Sequence, residues 1–321
     1  MQAKQLLIVS PAGARENNGN WQTASRWAHF LRTRHQVAIA SDCCSNDYAP
    51  DLLIALHARR SASSLAAFAS AYPERPSVLV LTGTDLYRDI ATSSEARAAL
   101  EQATRLVLLQ PDGLSVLPAH LHAKTSVIFQ SAPTVQPAIH GQHRRHYDIC
   151  MIGHLRAEKD PYTFMRAASL VTSPKARLLH IGGALESTLG QAASATALVN
   201  PRYQWLGNQP HGATRQRLAR SHALALCSLM EGGANVIIEA VTSGVPVLAS
   251  DISGNRGMLG PDYAGYFSVG DAPALAQLID RTIADPDFHA LLKRQCDARA
   301  ALFAPEAERA ALLHLVDNLF Q

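Results

Sequence analysis

The sequence predicts an α/β protein with two doubly wound parallel sheets. Its 321 residues exceed the length at which one hydrophobic core usually keeps growing, so two domains are expected, although a single large barrel is also compatible with this length. Apolar runs of strand length alternate with helical patterns, as they do in repeated βα units. The alternation stops once near the middle of the chain and then resumes, which predicts one sheet on each side of the break.

The first half contains six apolar runs that we interpret as strands. Runs such as LLIV and VLVL are apolar at every position, which is typical of parallel strands covered by helices on both faces. Because the connections between parallel strands are right-handed, the helices should lie on both sides of the sheet. The predicted strands span 5–10, 36–40, 51–57, 77–82, 105–109 and 126–129, and the alanine-rich segment 61–71 is predicted to be a helix.

Residues 130–146 contain two prolines, a glycine and clustered polar residues, so we interpret this segment as a linker. We therefore expect one domain at 1–138 and a second at 139–304, with a C-terminal helix in 305–321 that packs back across the seam. The strand pattern resumes at 148–152, 176–181, 203–206, 223–227, 245–249 and 265–269, and helices are predicted at 162–171, 236–243, 273–284, 287–303 and 305–320.

The composition argues against several classes of function. The formal charge is +3 and Lys and Arg form no long runs, which argues against a nucleic-acid partner. No stretch approaches the roughly 20 apolar residues of a membrane span, and the N-terminal apolar run is too short for a signal peptide, so we expect a cytoplasmic protein without a membrane partner. The five cysteines are odd in number and lack C-x-x-C spacing, which indicates reduced thiols.

One segment after a predicted strand combines glycines with two glutamates. Glu231, Gly232 and Gly233 precede a predicted helix whose first turn includes Asn235, and Glu239 follows about one turn later. Small glycines let a phosphate approach the backbone, and a helix N-terminus offers N–H donors and a partial positive charge. The alternative is that Glu231 is an ordinary loop charge and Glu239 a solvated helix position.

The letters EGGANVIIEAVTSGVPVLAS resemble the E-x(7)-E signature of glycosyltransferases with the GT-B fold, particularly the large retaining group. The resemblance implies two Rossmann-like domains that face each other across a cleft, with a nucleotide-sugar donor on the second domain and an acceptor on the first. It also implies that Glu239 holds the ribose of the donor and that Glu231 contacts the donor sugar.

A second element, GHLRAEK, is similar to the G-x(5)-K motif of the same family. In that motif an arginine and a lysine neutralise the diphosphate as it leaves, and Arg156 and Lys159 occupy these positions. Two fixed cations would stabilise the charge that develops in the transition state. The alternative is an ordinary basic start of a helix, which the helix dipole disfavours.

The long loop after the first predicted strand is a further candidate. Gly19 and Asn20 fall where the family's glycine-containing loop approaches the donor phosphate and sugar, and Asn18 offers an amide. The alternative is simple turn chemistry, with Asn20 as the cap of a helix that begins near Trp21.

Two more loops follow the third and fourth predicted strands. The first carries His57, Arg59 and Arg60, and the second carries Thr84 and Asp85. Arginines bind phosphate-type oxygens in a bidentate manner, so these loops would suit a small anionic acceptor. The alternative for Arg60 is that it only starts a surface helix.

The combination of NNGN, LHARRS, LTGTDLY and EGGANVIIEA along the chain resembles the bacterial selenosugar synthases of selenoneine biosynthesis. That resemblance implies a UDP-sugar donor, UDP-GlcNAc or UDP-glucose, and selenophosphate as the acceptor that forms a C–Se bond. The catalytic candidates are then Asn20, His57, Lys159 and Glu231. An ordinary glycosyltransferase that acts on a hydroxyl group and a catalytically silent UDP-sugar sensor are the alternatives.

Two local departures from the family pattern affect the expected chemistry. The loop Phe129-Gln130-Ser131-Ala132 stands where many relatives carry an Asn-Gly pair, which weakens the transfer of a common sugar acceptor. The run Asp285-Pro286-Asp287 has the letters of a metal-binding D-x-D motif, but it lies between two predicted helices, so we interpret it as a helix stop and N-cap. We therefore expect no metal and no cofactor; the oligomeric state is left open.

Overall fold

The computed structural model describes residues 2–13, 19–43, 49–135 and 145–321. Within these residues every predicted strand is present, and the prediction of two doubly wound parallel sheets is confirmed. The strands are β1 (Gln5–Val9), β2 (Gln36–Ala40), β3 (Leu52–Leu56), β4 (Ser77–Leu81), β5 (Arg105–Leu108), β6 (Thr125–Val127), β7 (Tyr147–Ile152), β8 (Ala176–Ile181), β9 (Tyr203–Trp205), β10 (Ala223–Leu226), β11 (Val247–Ser250) and β12 (Tyr266–Phe267).

The helices largely follow the predicted pattern. Segment 287–303 is an exception, because the α-helix ends at Asp297 and a separate 3-10 turn, Ala300–Phe303, follows it. The helices are α1 (Gly19–Leu31), α2 (Ala62–Ala71), α3 (Ile90–Thr92), α4 (Ser94–Gln102), α5 (Pro161–Leu170), α6 (Ser187–Val199), α7 (His211–Ala219), α8 (Asn235–Thr242), α9 (Ser253–Leu259), α10 (Ala272–Ala284), α11 (Pro286–Asp297) and α12 (Pro305–Leu319).

Two local predictions have clear outcomes at helix starts. Asp285 is the N-cap of α11, and its carboxylate accepts hydrogen bonds from the backbone N–H groups of Asp287 and Phe288 at 3.1 and 3.0 Å, so the N-cap interpretation is confirmed. Helix α1 begins at Gly19, which places Asn20 inside its first turn. Asn20 is therefore not the cap of this helix, and that alternative is wrong.

The first sheet has the strand order β2-β1-β3-β4-β5-β6, and all neighbouring strands are parallel. Strands β3 and β4 are buried at every residue, as their continuous apolar sequences require when helices cover both faces. The chain passes from β1 outward to β2 and then returns to β3 on the other side of β1. This reversal places a topological switch point between β1 and β3.

The second sheet has the order β12-β11-β10-β7-β8-β9 and is also parallel throughout. From β7 the chain runs through β8 to β9 on one side and then continues from β10 to β12 on the other. The switch point of this sheet therefore lies between β7 and β10. Ligands of open parallel sheets bind beyond the carboxyl ends of the strands at such points.

The chain divides into two compact units. The first contains Met1–Ser131, Glu231–Gly233 and Pro305–Gln321, and the second contains Ala132–Met230 and Ala234–Ala304. Helix α12 packs in the first unit, where Leu312 and Val316 join the core beneath α1. None of the helices in the described ranges has the length and apolar character needed to cross a membrane.

Buried Glu308 anchors α12 within the first unit. Its carboxylate accepts hydrogen bonds from Trp27 Nε1 and Arg26 Nε, each at 2.7 Å, and from Ser131 Oγ at 2.5 Å. A buried carboxylate is stable when it is paired and hydrogen-bonded in this way. Ser131, in the loop that departs from the family pattern, is therefore one of the residues that hold the last helix.

Candidate functional site

The two segments predicted to bind a donor follow β7 and β10, the strands on either side of the switch point in the second sheet. Arg156 and Lys159 come after β7, and Asn235 and Glu239 come after β10. A direct backbone hydrogen bond joins the two segments, from Leu229 N–H to the Glu158 carbonyl at 2.9 Å. The structure thus brings these two groups of predicted residues to one edge of one sheet.

The cations lie in a short turn that precedes α5. Ala157–Lys159 is a 3-10 turn that Arg156 caps, and Asp160 then caps α5 with its side chain, accepting from Thr163 N–H. Arg156 and Lys159 are half-buried, and a Cβ added at Gly153 would lie 3.5 Å from Cδ of Lys159. The two cations thus precede α5 and do not lie in its first turn.

Buried His180 contacts the backbone directly after β7, at the start of the segment that carries the two cations. Its Nε2 lies 3.3 Å from the Gly153 carbonyl, to which it donates, and its Nδ1 lies 3.0 Å from the Tyr203 hydroxyl, from which it accepts. Burial lowers the pKa of His180 to about 4, so the ring is neutral near pH 7 and keeps both bonds. Gly182 is also required here, because a Cβ at this position would lie 1.9 Å from the Gly153 carbonyl oxygen.

Helix α8 begins at Asn235, as predicted, and its N-terminus lies at the carboxyl edge of the sheet. Ala234 is its N-cap residue and offers no side-chain acceptor to the first amides of the helix. These amides and the dipole of α8 give this edge a partial positive charge that complements the two cations after β7. The arrangement is chemically suited to a diphosphate.

Glu239 is half-buried and has a partner that the sequence did not reveal. His211, the first residue of α7, places Nε2 at 2.6 Å from Oε1 of Glu239. The hydrogen bond to Glu239 raises the pKa of His211, against the opposing effects of burial and of Arg215. The two residues are 28 positions apart, so sequence spacing gave no signal for this pair.

The segment Glu231–Gly233 belongs to the first compact unit. Within that unit, a Cβ at Gly232 would lie 2.4 Å from the carbonyl of Thr82, and one at Gly233 would lie 2.7 Å from Cβ of Leu109. The two glycines are therefore needed for close backbone packing, which the prediction of phosphate approach did not anticipate. Glu231 itself is half-buried.

The predicted site residues of the first half of the chain follow β1, β3 and β4, around the switch point of the first sheet. Gly19 and Asn20 form the start of α1, whereas Asn18 lies outside the described residues. The Gly19 carbonyl accepts a hydrogen bond from Thr23 Oγ1 at 2.8 Å. Thr23 Oγ1 in turn accepts from Nε2 of buried Gln130, so the amide of Gln130 supports the start of α1.

His57 and Thr84 are in direct contact. His57 has a left-handed backbone with φ of 75°, its Nδ1 accepts from Arg60 N–H at 3.3 Å, and its Nε2 lies 3.1 Å from Thr84 Oγ1. With Nδ1 as acceptor, Nε2 carries the proton and donates to Thr84. Burial lowers the pKa of His57, although Asp85 opposes this shift, so the ring is neutral near pH 7.

Asp85 is fully buried, and its carboxylate organises the two loops. It accepts hydrogen bonds from backbone N–H groups of the loop itself and from the neighbouring loop after β3. This carboxylate is engaged by the protein, so we assign Asp85 a positioning role and not direct contact with an acceptor. The donors are Ala58 at 2.9 Å, Thr82 at 2.9 Å, Gly83 at 2.8 Å and Leu86 at 3.0 Å.

The chain after Thr84 forms a π-helix, Asp85–Asp89, which the sequence did not predict. It carries Asp89, a buried residue whose Oδ2 lies 3.1 Å from Nε of Arg59 and 3.8 Å from Nε2 of His57. The guanidinium groups of Arg59 and Arg60 are on exposed residues, and Arg60 precedes α2 by two positions. The loops therefore place Arg59, which is paired with Asp89, and Arg60 near a neutral histidine.

No group of three or more His, Cys, Asp or Glu side chains in the described ranges is arranged to hold a metal ion. The predicted site residues that the structure describes lie at the carboxyl ends of parallel strands in both sheets, as expected. The residues that sequence analysis missed are His211, His180 and Asp89. Each contacts a predicted residue or its loop from a distant position in the sequence.

Comparison with known families gives one match. The model of the family described as Glycosyl transferases group 1 matches residues 135–300, which is more than half of the chain. No curated protein sequence matches the chain.

Comparison with solved structures shows the fold. A sucrose-phosphate synthase from Thermosynechococcus elongatus is similar, with a TM-score of 0.80, 18% identity and 99% coverage of each chain. HepE from Anabaena, in complex with UDP-glucose, has a TM-score of 0.79 and 17% identity, covering 98% of this chain and 100% of HepE. A glycosyltransferase from Rickettsia africae has a TM-score of 0.76 and 14% identity, with 100% coverage of both chains. These similarities confirm the predicted GT-B fold.

Proposed function

Because the chain belongs to the group 1 glycosyl transferases, we propose that it transfers a sugar from a UDP-sugar bound at the carboxyl edge of its second sheet. One observation carries this proposal: Arg156 and Lys159 after β7, and the start of α8 with Glu239 after β10, flank the switch point of that sheet. The similar HepE structure is a complex with UDP-glucose, which supports uridine diphosphate as the carrier.

In the proposed donor site each chemical part of the nucleotide has a matching group. Arg156, Lys159 and the first amides of α8, near Asn235, would bind the diphosphate. Glu239 would accept hydrogen bonds from the ribose hydroxyls, and Glu231 would contact the donor sugar, as its place in the E-x(7)-E motif implies.

The proposed reaction breaks the bond between the anomeric carbon and the diphosphate oxygen. Negative charge grows on the departing UDP, so cations fixed next to it stabilise the transition state more than the ground state. Arg156, Lys159 and the N-terminus of α8 supply the positive charge that stabilises the departing UDP. We therefore propose that the transfer needs no metal ion.

For the acceptor we propose selenophosphate. The loops after β3 and β4 carry Arg60, and Arg59 paired with Asp89, near neutral His57, and guanidinium groups suit phosphate-type oxygens. The selenium atom would attack the anomeric carbon and form the C–Se bond as UDP leaves with the electron pair of the broken C–O bond. A selenium anion is already a strong nucleophile, so the reaction needs no strong general base. Neutral His57 would orient an oxygen of the acceptor, together with Thr84.

The proposal is tested by incubating the protein with UDP-glucose or UDP-GlcNAc and selenophosphate, and by analysing the products by mass spectrometry. We expect free UDP and a sugar that contains selenium, and we expect both to require the protein. Transfer to a hydroxyl compound without selenium incorporation would replace the acceptor assignment with ordinary glycosyl transfer. Saturable binding of the UDP-sugar without any turnover would instead identify a sensor.

A further inference from the structure

The contact between His211 and Glu239 lies entirely within the second unit and joins α7 to α8. The Nε2–Oε1 distance of 2.6 Å is typical of a charge-assisted hydrogen bond. The His211 side chain is 50% exposed and that of Glu239 is 13% exposed. The more exposed His211 side chain thus contacts the mostly buried carboxylate of Glu239.

The pair contributes little to the stability of the helices. A cation in the first turn of α7 opposes the dipole of that helix, and the first turn contains no acidic residue to offset it. A half-exposed ion pair between two helices also adds little to folding stability. A structural role therefore does not account for placing a histidine at this position.

A glutamate that accepts hydrogen bonds from both hydroxyls of a vicinal diol must hold its carboxylate in one orientation. The Glu239 side chain has several rotatable bonds, and fixing them costs conformational entropy. A contact that fixes them before the nucleotide binds removes this cost from the binding step. No other hydrogen bond to the Glu239 carboxylate occurs in the described part of the chain. Oε2 and the remaining lone pair of Oε1 are then left to accept from two hydroxyl groups.

We propose that His211 is a positioning residue that orients Glu239 to bind the two ribose hydroxyls of the donor. This inference rests on the proposed UDP-sugar function. It adds to the donor site His211, which lies outside the E-x(7)-E and G-x(5)-K motifs. His211 acts through Glu239 and does not touch the reacting atoms.

The hydrogen bond also predicts a pH dependence of nucleotide binding. Glu239 on α8 raises the pKa of His211 above its ordinary value of 6.5, and Arg215 on α7 opposes the shift. His211 is therefore protonated below the raised pKa and loses its charge as the pH rises through it. The neutral ring can still donate from Nε2, so we expect the affinity for UDP to decrease only slightly over that rise. In His211→Gln, whose amide does not titrate, the affinity should be constant over the same rise.

The test uses the full chain with UDP and 2′-deoxy-UDP as probes, measured by isothermal titration calorimetry. We expect His211→Ala to weaken UDP binding by about five- to tenfold, the effect of one hydrogen bond on affinity. The change should be smaller for 2′-deoxy-UDP, which lacks one of the two hydroxyls. In a Glu239→Gln background the same substitution should have little further effect, and His211→Gln should restore most of the affinity.

His120→Ala is the matched control, because His120 forms a similar pair with Glu101 at 2.8 Å on the first unit. It should leave UDP binding unchanged. If wild-type protein binds no UDP, the proposed function itself fails. If wild type binds UDP and Glu239→Gln weakens binding while His211→Ala does not, the positioning role of His211 is refuted and the donor assignment stands.

Discussion

Replacing both Arg156 and Lys159 by alanine is expected to reduce kcat/KM for the UDP-sugar by about 10² to 10³-fold. Each side chain would contribute a hydrogen bond to a charged group, worth about 1 to 3 kcal/mol. The two residues serve the same diphosphate, so their effects should be less than additive. The losses of the two single variants, expressed as free energies from kcat/KM and added, should exceed the loss of the double variant under identical conditions.

A matched control removes the same charge from the opposite edge of the second sheet. Lys175 immediately precedes β8 and Arg220 shortly precedes β10, and both residues are exposed. The double variant Lys175→Ala/Arg220→Ala should retain activity within about twofold, because surface substitutions away from a site have small effects. An equal loss in both double variants would mean that net charge, and not the diphosphate contact, explains the result.

The second large effect is expected for stability at Asp85. Asp85→Ala should lower the free energy of unfolding by about 3 to 5 kcal/mol, because it leaves buried backbone N–H groups without an acceptor. Asp85→Asn should cost less, since one oxygen remains to accept from Gly83 and Leu86. Urea denaturation followed by circular dichroism would measure both changes.

Asp297→Ala is the control for Asp85, because Asp297 is exposed at the end of α11. It should change the stability by less than about 0.5 kcal/mol. Should Asp85→Ala unfold at the same urea concentration as wild type, the buried carboxylate would not be organising the loops after β3 and β4. The positions of His57 and Thr84 would then need another explanation.

The fold was predictable from the sequence because its strands are buried on both faces. Such strands are apolar at every residue, as in β3 and β4, and they stand out between amphipathic helices. The limits of short strands were harder to predict from the sequence than the presence of the strands. The strand predicted at 265–269 is only Tyr266–Phe267 in the structure, since glycines on both sides of an edge strand give no clear limit.

The placement of the two proposed donor segments was also predictable, because the residues that follow a strand of a parallel sheet must lie at its carboxyl edge. The sequence could not reveal contacts between residues far apart in the chain. His211 reaches Glu239 only because α7 and α8 pack together. Asp85, in the loop after β4, accepts a hydrogen bond from the Ala58 N–H in the loop after β3. The π-helix Asp85–Asp89 likewise had no signal in the sequence pattern.

The measurement that tests the central claim most directly is a crystal structure of the protein in complex with UDP. The account predicts the diphosphate within hydrogen-bonding distance of Arg156, Lys159 and the first amides of α8, with the ribose hydroxyls on Glu239. A nucleotide bound at any other place, with Arg156 and Glu239 remote from it, would contradict the account.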